Sequence, residues 1–187
     1  PVWIAGSTHG NENDQLIAAH VKVLEKHPDA LLILVPRHPD RFEPVAEKTL
    51  KEGLMLARRS MGEDPAGAQV YLGDTLGELM MLYGASDLAF VGGSLIERGG
   101  HNPLEPAGWG IPVFSGPHFF NFETIYQRLL DDRGVKLVSD ADDLAAHVSS
   151  LFSDHREREA IGLRALEVVN KNRGALDKVV DGIIERV

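Results

Sequence analysis

Cysteine is absent from the 187 residues, which excludes disulfides, thiolate metal ligands and cysteine nucleophiles and suits a reducing compartment. Long apolar runs are missing too. Ala30–Val35 and Leu88–Val91 fall far short of the roughly 20 residues that a bilayer-crossing helix needs, and residues 1–7 lack the basic flank and apolar stretch of a signal peptide. Positive charge is in deficit: 19 Lys and Arg stand against 28 Asp and Glu, a formal net charge of −9. No global basic field therefore draws in nucleic acid. Basic residues gather only locally, at Arg37/Arg41 and Arg58/Arg59, where a small phosphate can be received. No set of Asp, Glu and His has metal-ligand spacing, so no metal is expected.

What is present, 43% hydrophobic and 25% charged residues, predicts one folded domain of ordinary size. Strands are expected at 2–6, 30–35, 54–58, 69–72, 88–91, 112–114 and 135–138. Helices are expected at 12–26, 41–52, 75–84, 103–108, 122–131 and 141–152, and from 155 to 187 with a break near Asn172–Gly174. The 62–68 stretch, GEDPAGA, reads as an exposed turn. Strand and helix alternate throughout, so the predicted fold class is α/β, a Rossmann-like doubly wound parallel sheet spanning 1–187.

Such sheets bind ligands at the carboxyl ends of their strands, and four segments there attract attention. Ser7 and Thr8, ending the first strand, offer hydroxyls and N–H groups to a phosphate or serve only as a local cap. Pro36 and Pro39 stiffen a turn in which Arg37 can clamp a phosphate. In Gly73–Leu79, Asp74 or Thr75 can cap a helix; Glu78 is a favourable first-turn acid, or else Gly77, Glu78 and Leu79 border a base or sugar. Most informative is 90–121, FVGGSLIERGGHNPLEPAGWGIPVFSGPHFFN. Its glycines and a helix start at Asn102-Pro103-Leu104-Glu105 suit an anion. Glu105 is either the third residue of a capping box or a carboxylate accepting from two ribose hydroxyls.

The segments GSTH at 6–9, PRH at 36–38, GDTLGEL at 73–79 and the long block from Gly92 to Phe122 together resemble the C-terminal half of the bacterial 3-deoxy-D-manno-oct-2-ulosonic acid (Kdo) transferases of lipopolysaccharide synthesis. The resemblance extends over essentially the whole chain. It implies the second, donor-binding half of a two-domain GT-B glycosyltransferase, with CMP-Kdo held by Pro36, Arg37, Gly77, Glu78, Leu79, Asn102, Pro103, Leu104 and Glu105. It implies no cofactor besides that donor and no catalytic base here, Arg37 stabilising phosphate charge. The lipid A precursor, the membrane contact and the general base would belong to an N-terminal domain absent from the chain, at the cytoplasmic face of the inner membrane. The start at Pro1, without an initiator methionine, fits the second half of a longer protein. One departure stands out: where the family loop runs THEGEE-like, this chain reads Thr8-His9-Gly10-Asn11-Glu12-Asn13, leaving Glu12 as the surviving acidic position. Alternatives at this level are the donor domain of a UDP-sugar transferase or epimerase, and a nucleotide-binding module without turnover.

Overall fold

The structure, a computed structural model, describes residues 1–184, with side chains described through Asn172; the end of the expected last helix, 185–187, lies outside the described residues. Seven parallel strands, β1 (Val2–Thr8), β2 (Leu31–Pro36), β3 (Leu56–Arg58), β4 (Val70–Leu72), β5 (Leu88–Val91), β6 (Val113–Ser115) and β7 (Val135–Leu137), form one sheet in the order β3-β4-β2-β1-β5-β6-β7. The order reverses between β1 and β5, which creates a switch point at their carboxyl ends. The expected doubly wound sheet is therefore present.

Alternate residues along each strand feed opposite faces, as the two-residue strand period requires. Trp3, Ala5, Leu32, Leu34, Leu88 and Phe90 pack with residues of α1 (Glu12–Lys26), α2 (Phe42–Lys51) and α6 (Ala141–Ser153). On the other face, Ile4, Ile33, Val35 and Ala89 meet Leu82 and Tyr83 of α3 (Leu79–Gly84). Val91 and Val113 meet Ala107 of α4 (Leu104–Ala107), Tyr126 of α5 (Glu123–Asp131) and Ala165 and Val168 of α7 (His155–Ile184). Among the described residues, no helix is long and apolar enough to cross a membrane.

Two helices depart from expectation. The helix expected over 75–84 starts only at Leu79, because its would-be cap is engaged elsewhere. Asp74 accepts from the Ser60 N–H (2.7 Å), the Ser60 hydroxyl (2.6 Å) and Arg58 Nε (2.9 Å), and the Thr75 hydroxyl bonds to Glu78. In this helix Leu82 and Tyr83 are buried, whereas Met80 is exposed, as is Leu76 before it. Conversely, α7 continues through Asn172–Gly174 without the expected break. Asn172 donates to the Val168 carbonyl one turn back (2.9 Å) and accepts from Arg128 (2.6 Å), so its side chain has partners that leave the helical path intact.

The switch point is held together by one buried carboxylate. Glu12, with no exposed surface, accepts from the N–H of Gly93 (2.7 Å), Ser94 (3.0 Å), Leu95 (3.0 Å) and His9 (3.3 Å). Burial pushes its pKa up, opposed by these four backbone bonds. The glycine-rich turn after β5 thus forms the anion-binding nest that its sequence suggests, but the chain's own carboxylate fills it. Gly92 lets the turn approach, since a Cβ there would lie 2.5 Å from the Ser7 carbonyl oxygen. The Ser94 hydroxyl extends the link to the next loop, donating to Val91 O (2.6 Å) and accepting from Gly116 N–H (2.8 Å).

A second buried polar pair lies in the sheet core. Trp3 Nε1–H donates to His20 Nδ1 (3.0 Å), and His20 Nε2 lies 2.8 Å from the Gln69 carbonyl, which fixes a neutral imidazole with its proton on Nε2. Burial lowers the His20 pKa to about 4, the Gln69 bond opposing that shift. Because the folded-state value lies below the unfolded one, the stabilisation is complete above the unfolded pKa and is lost as pH falls toward the folded value, by about 3 kcal/mol in total. We expect the urea midpoint to fall between pH 6.5 and pH 4, and His20→Gln to flatten that part of the profile; an identical slope in the variant would contradict the assignment. Glu12→Gln sets an amide NH2 against two N–H donors and is expected to cost about 2–4 kcal/mol, read from denaturant midpoints. A variant as stable as wild type would show that the carboxylate is dispensable.

Candidate functional site at the switch point

β1 ends in a bulge. Gly6 pairs with Val35 and Thr8 with Pro36, leaving Ser7 between them at φ 56°, a left-handed conformation uncommon outside glycine. The bulge turns Thr8 O toward the next loop, where it accepts from Arg37 N–H (2.9 Å). Ser7 and Thr8 are both buried, and the Thr8 hydroxyl donates to Asn13 Oδ1 (2.5 Å). Their demonstrable work is therefore local: they set the β1 terminus and through it the backbone of Arg37. Pro36 is buried at the end of β2, and Arg37 is exposed at the mouth.

Across the switch point, Asn102 Oδ1 accepts from Leu104 N–H (3.1 Å) and so caps α4, with Pro103 leading into the helix at φ −77°. Glu105, half-buried in the first turn, makes no capping-box bond to the Asn102 backbone N–H among the described residues. Burial raises its pKa, while the Arg37 charge and the Asn102 side chain pull it down. The carboxylate lies within electrostatic reach of Arg37 and has acceptor capacity left over.

Near Arg37 stand three histidines whose arrangement the sequence does not reveal. His9 and His101 stack with an interplanar angle of 5° and share an Nε2–Nε2 hydrogen bond of 2.9 Å; His38 meets His9 edge-on. One ring must accept in that bond, so the pair cannot be doubly protonated. Burial, and then His9 together with Arg37 and His38, lowers the His101 pKa to about 4; burial, then His38 and nearby arginines, lowers that of His9. Both are neutral at physiological pH. The local GSTH and GGHN strings place a histidine beside each strand end, and only the adjacency of β1 and β5 reveals that the two meet.

Gly77, Glu78 and Leu79 sit on the neighbouring side of the mouth. Leu79 approaches the end of β1, its Cδ1 lying 3.1 Å from where a Cβ on Gly6 would be. The Glu78 carboxylate is engaged by Arg59 through two bonds (2.8 and 3.0 Å) and by Thr75, and Arg59 first, then Thr75, hold its pKa down at about 2. What this segment offers a ligand is therefore backbone and the Leu79 side chain. The expectation that Arg58 and Arg59 can receive a phosphate is also revised: Arg58 pairs with Glu43 (2.8 Å) and Asp74 (2.9 Å), and Arg59 with Glu78. Of the local basic spots, only the one around Arg37 stays open.

No protein-family model matches the chain. It is 48% identical over 183 residues to the 3-deoxy-D-manno-octulosonic acid transferase of Haemophilus influenzae, covering 97% of this chain and 43% of that protein. With the Bordetella pertussis enzyme of the same name it shares 34% identity, over 98% and 44%. The chain thus spans less than half the length of these relatives. In fold it superposes on the crystal structure of the C-terminal CMP-Kdo binding domain of WaaA from Acinetobacter baumannii with a TM-score of 0.86 and 38% identity, over 90% of this chain and 88% of that one. Anabaena Alr3699/HepE in complex with UDP and glucose follows the same fold at a TM-score of 0.66, with 12% identity over 99% of this chain and 48% of that one. Identity of 38% across nearly the full length of a solved domain, with the sheet preserved, goes well beyond likeness of fold, and the chain belongs to the 3-deoxy-D-manno-octulosonic acid transferase family.

Proposed function

We propose that the chain is the donor half of a Kdo transferase, binding CMP-Kdo at the switch point with Arg37 on the phosphate and Glu105 on the ribose. The observation that supports this reading is an exposed guanidinium at the end of β2, Arg37, within electrostatic reach of the half-buried Glu105 carboxylate at the helix start that follows β5. Pro36 and the Asn102-Pro103-Leu104 cap set the backbone from which these two side chains project. Gly77, Glu78 and Leu79 border the base or sugar through backbone and Leu79. Ser7 and Thr8 support the mouth from below.

In the proposed reaction, the bond between the Kdo anomeric carbon and the CMP phosphate oxygen breaks as a bond to a hydroxyl of the lipid A precursor forms, with inversion. Negative charge grows on the departing phosphate, and Arg37 stabilises it electrostatically without rearranging. The acceptor's proton passes to a base supplied by an N-terminal domain at the cytoplasmic face of the inner membrane. A cleft built from two halves holds both reactants and the base in near-attack geometry. The 187-residue chain alone is accordingly expected to bind donor nucleotide and to give no transfer in a radiolabelled Kdo assay; turnover by it alone would overturn the division of labour.

Calorimetry with CMP, UMP and UDP tests the nucleotide, and tightest binding of UDP would sink the CMP reading. Arg37→Ala should weaken CMP by about 2 kcal/mol, and unchanged affinity with an intact fold would refute its phosphate role. Glu105→Gln keeps one carbonyl acceptor and should change stability by less than about 1 kcal/mol while clearly weakening CMP. A sharp drop in melting temperature with normal CMP affinity would instead assign Glu105 to the helix start.

A further inference from the structure

Beside the Arg37–Glu105 mouth lies a second cavity, about 380 Å³, lined by His9, His38, Asp40, Arg41, Ile96 and Arg98. Three loops converge on it, those after β1, β2 and β5. Arg98 forms no ion pair among the described residues, and Arg41 has only its chain neighbour Asp40, at 3.4 Å with both side chains largely exposed. The loop presenting Arg98 is fixed, however: the Asn121 side chain donates to Arg98 O (2.9 Å), Asn121 N–H donates to Gly99 O (3.0 Å), and Gly100 N–H donates to Gly93 O (2.9 Å). The last of these bonds ties the loop to the turn that Glu12 anchors. Arg37, Arg41 and Arg98 all act on His9, which lines this cavity and stacks on His101.

This concentration of charge exceeds what the single phosphate of a CMP-linked donor needs. That phosphate is a diester with one negative charge, which Arg37 would match. Two further guanidiniums face the adjoining space with one weakly paired carboxylate between them, and the His9–His101 pair adds no fixed charge. A 2-ulosonic acid donor carries a second anion in that place. Its carboxylate sits on the anomeric carbon itself, the atom that also holds the phosphate oxygen, whereas an aldose donor has only hydrogen there.

We propose that Arg98, with Arg41 across the cavity, is the subsite for the donor's carboxylate and thereby selects ulosonic acid donors over aldose nucleotides. This rests on the CMP-Kdo reading above and adds to it the residues that read the sugar acid. A guanidinium binds a carboxylate through paired N–H donors, and an aldose donor has no anion on its anomeric carbon to meet them. The cavity is lined from the loops after β1, β2 and β5 and by no residue of the Asn102–Glu105 helix start, so its contribution is expected only when the sugar acid is attached.

The test is a calorimetric comparison of freshly prepared CMP-Kdo with CMP on the 187-residue chain, its Arg98→Gln variant and its Arg41→Gln variant. Wild type is expected to bind CMP-Kdo more tightly than CMP. Arg98→Gln should weaken CMP-Kdo by about tenfold, the worth of one charge-assisted hydrogen-bond set, and leave CMP within about twofold. Arg41→Gln should move CMP-Kdo in the same direction. Equal affinity of wild type for both ligands, or equal loss of both in Arg98→Gln, would overturn the carboxylate subsite while leaving the nucleotide site standing. Failure of wild type to bind either ligand would overturn the donor reading and the subsite with it.

Discussion

Everything at the ligand edge of this domain depends on the carboxylate of Glu12. It sits without solvent contact in the turn after β5 and gathers N–H groups from Gly93, Ser94 and Leu95, while its own helix begins at the end of β1. Four backbone donors on one ionisable group offset a desolvation cost that none could offset alone. The bond network locks together the two strands at which the sheet reverses, and so fixes where His9, His101 and the Arg98 loop stand.

With the nest filled from inside, an incoming anion has to be met by side chains. In the proposed donor site, Arg37 would supply that charge from a backbone pinned to Thr8 by the β1 bulge, and Glu105 would supply acceptors from a helix start capped by Asn102. The stacked histidines near Arg37 carry no charge at neutral pH, because burial lowers the pKa of each and their shared hydrogen bond requires one free lone pair. The edge thus combines neutral rings, the Arg37 guanidinium and the Glu105 carboxylate.

The fold was largely legible in the sequence. Continuous apolar strands such as Leu31–Val35, turn residues between them and βα alternation point to a parallel sheet, because covered strands must be apolar on both faces. Local rules failed where a side chain found a distant partner. Asp74 looked like a cap and instead joined Ser60 and Arg58; Asn172 looked like a stop and instead bonded Val168 and Arg128; Arg59 looked free and was held by Glu78. The Gly92-Gly93-Ser94 turn was legible as an anion nest, yet its occupant lies 81 residues away in sequence from Gly93. Pairings of this kind depend on strand order, which no window of sequence carries.

The most direct test of this account is a crystal structure of the domain with CMP bound. The account predicts the phosphate on Arg37, the ribose hydroxyls on Glu105, and the Glu12 carboxylate still seated on the N–H groups of Gly93, Ser94 and Leu95. Phosphate lodged in that turn with Glu12 displaced, or a nucleotide whose ribose turns away from Glu105, would contradict it.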